Sequence, residues 1–148
     1  MIVRRAAAVR GMPEEHRPTA PLVARDERGL REIAGAVHDL WFLLPDIAYD
    51  AAAGRVTIPM THEEKRRGWF GIAYWTGGEV PAGVLTFDAV QSFRVIDEAQ
   101  IDTYNVSSLV VDSLAGGGVR ITLYGGIPIE LHVIADRIVA RFDPAPPP

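Results

Sequence analysis

Cysteine is absent from this 148-residue chain. The absence excludes disulfide bonds, thiolate nucleophiles and zinc sites built on cysteine, and it leaves no reason to expect an oxidising compartment. Lysine is almost absent too, because Lys65 is the one lysine among fifteen basic residues and the rest are arginine. With abundant alanine, glycine and proline, that bias is typical of a GC-rich genome, so we expect a bacterial protein, and the absence of cysteine favours a cytoplasmic location.

Long hydrophobic runs are missing as well. The longest apolar run without glycine is Leu40 to Pro45, whereas a membrane-spanning helix needs about 20 apolar residues. Near the N-terminus, Arg10 interrupts the apolar run that a signal peptide requires. The sequence therefore predicts no membrane association and no export.

The charge is unevenly placed along the chain, whose formal net charge is −4. Residues 1–25 hold five arginines and two glutamates, a net of +3, which leaves −7 for residues 26–148. Because an acidic body repels a phosphate backbone, we do not expect nucleic-acid binding as the main role. A further hypothesis is that Arg4, Arg5 and Arg10 of the N-terminal segment contact nucleic acid.

The length predicts one domain. Residues 1–25 contain three prolines and no sustained period, so we interpret them as an arm. Residues 26–143 are expected to form a single globular domain, and residues 144–148 a frayed proline-rich tail.

A helix is predicted from Asp26 onwards. Apolar residues recur at helical spacing on one face, and they are Leu30, Ile33, Ala34, Val37, Leu40 and Trp41. Asp26 is the expected N-cap, and Pro45 is expected to end the segment.

After Pro45 the hydrophobic period changes to two, which indicates antiparallel strands. Alternation is strongest over Val119 to Phe142, where we expect a three-stranded meander with a two-residue hairpin at Gly125 and Gly126. Pro59 cannot donate to a strand ladder, so its strand is expected at a sheet edge.

The run from Trp69 to Trp75 is apolar on both alternating faces and predicts one central strand. Trp69 and Trp75 would flank Gly71 and Ala73 on one face and leave a notch. The helix could fill this notch, or a flat ligand could bind there, with His38 as a polar contact.

These patterns predict an α+β fold. One N-terminal amphipathic helix would pack on a curved, mainly antiparallel sheet of about seven or eight strands, arranged as a half-barrel or a sandwich.

Motifs for catalysis or metal binding are missing. The histidines are His16, His38, His62 and His132, and the run from His62 to Arg67 departs from the H-E-x-x-H zinc spacing. The sequence also lacks G-x-S-x-G and any phosphate-binding loop. We therefore predict no catalytic residue, no metal and no cofactor, and we favour a role other than catalysis.

Two functional hypotheses follow. The first is a non-enzymatic protein-interaction module that binds a protein partner or a second copy of itself. Its surface would be the polar face of the last strands, with Arg120, Glu130, His132, Arg137 and Arg141. The alternative is a ligand-binding or hydrolytic β-barrel that uses an aromatic-lined pocket at Trp69, Trp75 and His38.

Overall fold

The structure, a computed structural model, describes residues 18–64, 66–70, 73–77 and 80–146. For 66–70 and 73–77 it describes the backbone. The elements are β1 (Leu22–Ala24), α1 (Glu27–Val37), β2 (Trp41–Leu43), a 3₁₀ turn (Leu44–Asp46), β3 (Ala48–Asp50), β4 (Arg55–Thr61), β5 (Arg66–Phe70), β6 (Ala73–Gly77), β7 (Pro81–Phe87), β8 (Val90–Ile96), β9 (Thr103–Ser113), β10 (Val119–Gly125), β11 (Glu130–Ala135) and β12 (Ala140–Pro144).

Ten of these strands form one antiparallel sheet. Its order is β1-β12-β7-β4-β2-β9-β10-β11-β8, with β3 paired to β4, and it does not close on itself. The predicted class of one helix on a mainly antiparallel sheet is confirmed, but the sheet has ten strands rather than seven or eight. The helix α1 has eleven residues, and no helix in the described ranges is long and apolar enough to span a membrane.

The helix begins where the sequence predicts. The side chain of Asp26 accepts a hydrogen bond from Gly29 N at 2.8 Å, and Leu30, Ile33 and Val37 are buried. This apolar stripe packs against the sheet beside β1, β9 and β12.

The helix ends earlier than predicted. It stops at Val37, and Trp41 lies in β2 instead of on the helix. Asp39 adopts a left-handed conformation with φ of 65°, and its N–H donates to Val106 O at 2.9 Å. Because a left-handed residue breaks the helical path, this turn ends the helix well before Pro45.

Two features connect the two halves of the strand order, β1-β12-β7-β4-β2 and β9-β10-β11-β8, which share one core cluster. The long strand β9 pairs with β2 through residues 103–105 and with β10 through residues 106–113. At the opposite side β7 continues into β8 through Asp88 and Ala89. There Asp88 N donates to Val139 O and Asp136 N donates to Ala89 O, each at 2.9 Å.

The predicted closing meander is therefore only partly right. β10 and β11 pair with each other, but β12 does not pair with β11. It pairs with β1 and β7 instead. The β10–β11 connection is also longer than predicted, since β11 begins at Glu130. The prediction that every second residue of these strands faces the core is confirmed, because their apolar residues belong to one core cluster with the helix. The cluster includes Ile33, Phe42, Ile58, Leu85, Phe87, Tyr104, Ile121, Leu123, Leu131, Val133 and Phe142.

Pro59 does not mark a sheet edge. β4 pairs with β7 on one side, with Pro59 opposite Val84, and on its other side it pairs with β3 at residues 55–57 and with β2 at Thr61. In the described pairing, Pro59 lies between the residues of β4 that pair with β3 and the residue of β4 that pairs with β2. A residue without an N–H is tolerated there because no ladder bond from it is needed on that side.

The run from Trp69 to Trp75 is not one central strand. β5 and β6 pair with each other as an antiparallel hairpin and form a separate two-stranded sheet. Their register continues that of β4 and β7, where His62 N donates to Val80 O at 3.0 Å. The residues between Phe70 and Ala73 lie outside the described residues.

Candidate functional site

The candidate site is the side of β8 to β11 that faces away from the core. In β10, Ile121 and Leu123 are in the core, so by strand alternation Arg120, Thr122 and Tyr124 belong to the opposite side. The register places twelve residues there in three rows, which we call the outer face. The rows are Asp112, Arg120, Ile134 and Ser92, then Val110, Thr122, His132 and Arg94, then Ser108, Tyr124, Glu130 and Ile96.

Two polar pairs lie on the outer face. His132 Nε2 is 2.9 Å from Glu130 Oε1, a hydrogen bond between side chains two residues apart on one strand. Arg120 Nη2 is 3.8 Å from Asp112 Oδ2 across the β9–β10 ladder. Partly exposed pairs of this kind contribute about 0–1 kcal/mol each, so they orient these side chains more than they stabilise the fold.

Apolar side chains lie among these charges. Val110 is 40% exposed and Tyr124 37% exposed, while Ile134 and Ile96 are half-buried. Between the longer side chains of this face, Thr122 is only 2% exposed. The outer face thus mixes exposed apolar side chains with charged ones around a threonine that its neighbours already cover.

The structure brings together three of the five residues predicted for a partner surface. Arg120, Glu130 and His132 share the outer face, whereas Arg137 lies in the connection between β11 and β12. Arg141 lies in β12, in the other half of the sheet, where its Nε donates to Asp143 Oδ1 at 2.7 Å.

Sequence reasoning missed the contributions of β8 and β9 to this surface. Arg94 lies directly opposite His132, and Val110 lies opposite Thr122. The alternation of β9 was visible in the sequence, but nothing local indicated that β8 and β9 lie next to β11 and β10.

His38 lies at the end of the helix. Its Nδ1 is 3.1 Å from Ser107 O and its Nε2 is 3.6 Å from Asp39 Oδ2. These contacts attach the helix end to β9. The side chains of Trp69 and Trp75, predicted with His38 to bind a ligand, lie outside the described residues. Their backbone positions lie on adjacent rungs, with Trp69 opposite Tyr74 and Trp75 opposite Gly68.

One sizeable groove lies elsewhere, at the end of β4, β7 and β12. It measures about 460 Å³ and is lined by Pro59, Met60, Thr61, Pro81, Gly83, Val84, Pro144, Ala145 and Pro146. None of these lining residues is ionisable, and the hydroxyl of Thr61 already donates to Glu63 O at 2.7 Å. The described lining of the groove therefore offers an apolar surface without an acid, a base or a nucleophile activated by one.

Two acidic residues line a smaller depression of about 70 Å³, whose lining residues are Ile96, Glu98, Pro128, Ile129 and Glu130. Within the described part of the chain, no group of three or more histidine, aspartate or glutamate side chains is placed to hold a metal ion. Two carboxylates alone fall short of the ligand sets of common protein metal sites.

Comparison of the chain with known protein families, with curated proteins and with solved structures found no match. The function is therefore argued from the surface itself.

Proposed function

We propose that this protein is a non-enzymatic protein-interaction domain that binds its partner through the outer face. The observation that carries the proposal is that one side of β8 to β11 forms the core with α1, while Val110 and Tyr124 remain exposed on the other side.

The composition of the outer face supports a protein partner. Tyrosine, arginine and branched aliphatic residues are mixed on it, and aromatic and arginine side chains are those that contribute most to binding at interfaces. Its charged residues, Arg94 and Arg120 against Asp112 and Glu130, carry both signs. A nucleic-acid surface would instead present an excess of basic side chains.

The test is a photo-crosslinking side chain placed at Tyr124 of the full chain in its native host. We expect a crosslink to a protein, and we expect Val110→Asp to abolish it because a carboxylate would be buried in the interface. Ile101→Asp is the matched control, since Ile101 is 46% exposed on the loop between β8 and β9. Absence of a crosslink at Tyr124, or its persistence in Val110→Asp, would contradict the proposal.

The alternative function is binding of a small apolar ligand, and the observation that favours it is the groove at Met60 and Gly83. Volumes of about 300–1,000 Å³ are typical of ligand sites. Met60 is a core residue, whereas Pro59 is half-buried at the groove opposite Val84. Pro59→Trp would therefore fill the groove, so it should abolish the chemical-shift changes that a bound aliphatic ligand causes at Val84. If no aliphatic or aromatic fragment shifts Val84 in the wild-type protein, this alternative is wrong.

A further inference from the structure

We propose that the protein partner adds an extended strand to the free edge of β8, and that this strand carries an acidic residue between two apolar residues. The inference rests on the proposed function and names the segment of the partner that binds. The order of the ten-stranded sheet ends at β1 and at β8. β1 has three residues and lies beside the helix, whereas β8 has seven residues, no proline and a single charged residue, Arg94. Because edge strands are usually short, covered, or interrupted by charge and proline, β8 is the end of the sheet that can accept another strand.

The hydrogen bonds of the neighbouring strands show which backbone groups of β8 are free. In an antiparallel ladder, opposite residues alternate between pairs that exchange backbone hydrogen bonds and pairs that do not. Gly125 N donates to Ile129 O at 3.3 Å, in the register that β10 and β11 keep along their length. On the other side of β10, Leu114 N donates to Gly118 O at 3.1 Å, which gives the same alternation. The odd-numbered residues of β11 therefore bond to β10, and the even-numbered residues bond to β8.

This alternation leaves two residues of β8 with unpaired backbone groups. Arg94 is opposite an even-numbered residue of β11 and bonds to it, so the N–H and C=O groups of Phe93 and Val95 point to the free edge. No described residue donates to these groups or accepts from them. The hydroxyl of Tyr49 donates to Gln91 O at 3.2 Å on the same edge. The open stretch of the edge therefore begins after Gln91.

The side chains on the core side of this edge call for apolar residues in the added strand. Phe93 and Val95 lie opposite core residues of β11, so their side chains point to the core side. Val95 is nevertheless 37% exposed, and the ring of Tyr49, 38% exposed, lies 5.9 Å from that of Phe93. In an added antiparallel strand, the residues opposite Phe93 and Val95 point to this same side. Apolar side chains there would cover the exposed margin of the core.

The residue between them calls for a carboxylate. Arg94 is exposed on the outer face, and no carboxylate of the described residues pairs with it. The residue of the added strand that lies opposite Arg94 also points to the outer face, so a glutamate or aspartate there would pair with the guanidinium. The added strand would thus extend the outer face by one strand, and the edge and the outer face would form one continuous surface for the partner.

The experiment measures amide hydrogen exchange of the full chain by nuclear magnetic resonance. The probe is a seven-residue peptide whose three central residues are valine, glutamate and valine. At a peptide concentration about ten times Kd, we expect exchange at Phe93 and Val95 to slow about tenfold. The N–H of Arg94, which already bonds to β11, is the internal control and should change less than about twofold.

Two N-methylated peptides separate strand addition from other kinds of binding. Methylation of either valine nitrogen removes a hydrogen-bond donor that points to β8, so it should raise Kd about tenfold or more. Methylation of the glutamate nitrogen is the matched control, because that N–H points away from β8. It should leave Kd within about threefold of the unmodified peptide.

A charge exchange tests the acidic position. Arg94→Glu should raise Kd about tenfold, and a peptide with lysine in place of its glutamate should restore binding to this variant. Arg141→Glu is the matched control, because Arg141 is also a half-exposed arginine but lies in the other half of the sheet. It should leave Kd unchanged. The N-methylated peptides leave the protein unaltered, so the test does not depend on a variant that folds.

Four outcomes would overturn the inference. The first is exchange at Phe93 and Val95 that the peptide does not slow, and the second is equal binding of the two kinds of N-methylated peptide. The third is a Kd insensitive to Arg94→Glu. The fourth is slow exchange of the two amides in the protein alone, which would show that another part of the chain or a second copy occupies the edge.

The proposed function is tested separately by the crosslink at Tyr124. If the peptide does not bind but the Val110-dependent crosslink persists, the proposed function stands with a partner that adds no strand. If neither is observed, both proposals are wrong.

Discussion

The hydroxyl of Tyr104 donates a hydrogen bond to Asp97 Oδ1, so a fully buried ring at the start of β9 is tied to the loop that precedes it. The same hydroxyl accepts from Ile101 N at 3.2 Å, and Asp97 Oδ1 also accepts from Gln100 N at 3.0 Å. Gln100 and Asp102 both have positive φ, at 55° and 68°. Because such conformations are costly outside glycine, the bonds centred on Tyr104 help to hold this loop in place.

Tyr104→Phe should lower the free energy of unfolding by about 1–3 kcal/mol, because a buried hydrogen-bond network loses its shared group. Urea denaturation followed by circular dichroism measures the change. Tyr49→Phe is the control. Its hydroxyl donates a single hydrogen bond, to the backbone oxygen of Gln91 at 3.2 Å, and the residue is 38% exposed. We expect a change there within about 0.5 kcal/mol. Equal losses in the two variants would contradict the role given to the Tyr104 network.

Alkaline stability should depend on the same ring. Burial, and next the hydrogen bond to Asp97, raises the pKa of the Tyr104 phenol above its ordinary value of 10.0. The folded state therefore holds this proton more tightly than the unfolded state. The resulting stability is fully present below pH 10.0 and is lost as the pH rises through the folded-state pKa.

The ultraviolet difference titration between wild type and Tyr104→Phe isolates this phenol. We expect the difference signal to appear above pH 10.0 and to coincide with loss of the native circular dichroism spectrum. Ionisation of Tyr104 at or below its ordinary pKa in a protein that stays folded would show that burial does not protect the phenol.

The sequence predicted those elements that depend on residues close to one another in the chain. The N-cap at Asp26 and the alternation of β10 and β11 were both expected, and both are observed. The end of the helix was not predictable in this way. Leu40 and Trp41 continue the helical spacing of apolar residues, but the chain leaves the helix to bond to Val106 and Ser107, which are far away in sequence.

The interaction surface was only partly predictable for a related reason. Alternation in β11 shows that Glu130 and His132 share a side, but it does not show which strand lies beside β11. That neighbour is β8. Their pairing begins beside the connection between β7 and β8, where Asp136 N donates a hydrogen bond to Ala89 O. Alternation also fails to distinguish one strand from a tight hairpin, which is why the run from Trp69 to Trp75 was predicted as one strand.

The N-cap of the helix supports a further prediction. Asp26→Ala should lower the free energy of unfolding by about 1 kcal/mol, because Gly29 N loses its acceptor at the helix start. Glu32→Ala changes an exposed residue within the same helix and should have a smaller effect. Urea denaturation of the two variants provides the comparison. Equal stability of Asp26→Ala and wild type would show that the cap contributes nothing measurable.

Gly83 is a position at which the sheet should tolerate a side chain poorly. Its φ is 154°, and a Cβ there would lie 2.5 Å from Asp143 O and 2.6 Å from Phe142 Cζ. β7 and β12 pair directly at this point, so neither backbone can move away without breaking ladder bonds. Gly83→Ala should therefore lower the free energy of unfolding by about 2 kcal/mol or more, through strain and overpacking.

Gly116→Ala is the matched control, because a Cβ at that turn would meet nothing within 4 Å, and it should be close to neutral. Thermal and urea denaturation of both variants measure the difference, and a Gly83→Ala protein as stable as the Gly116→Ala protein would contradict the close approach of β7 and β12.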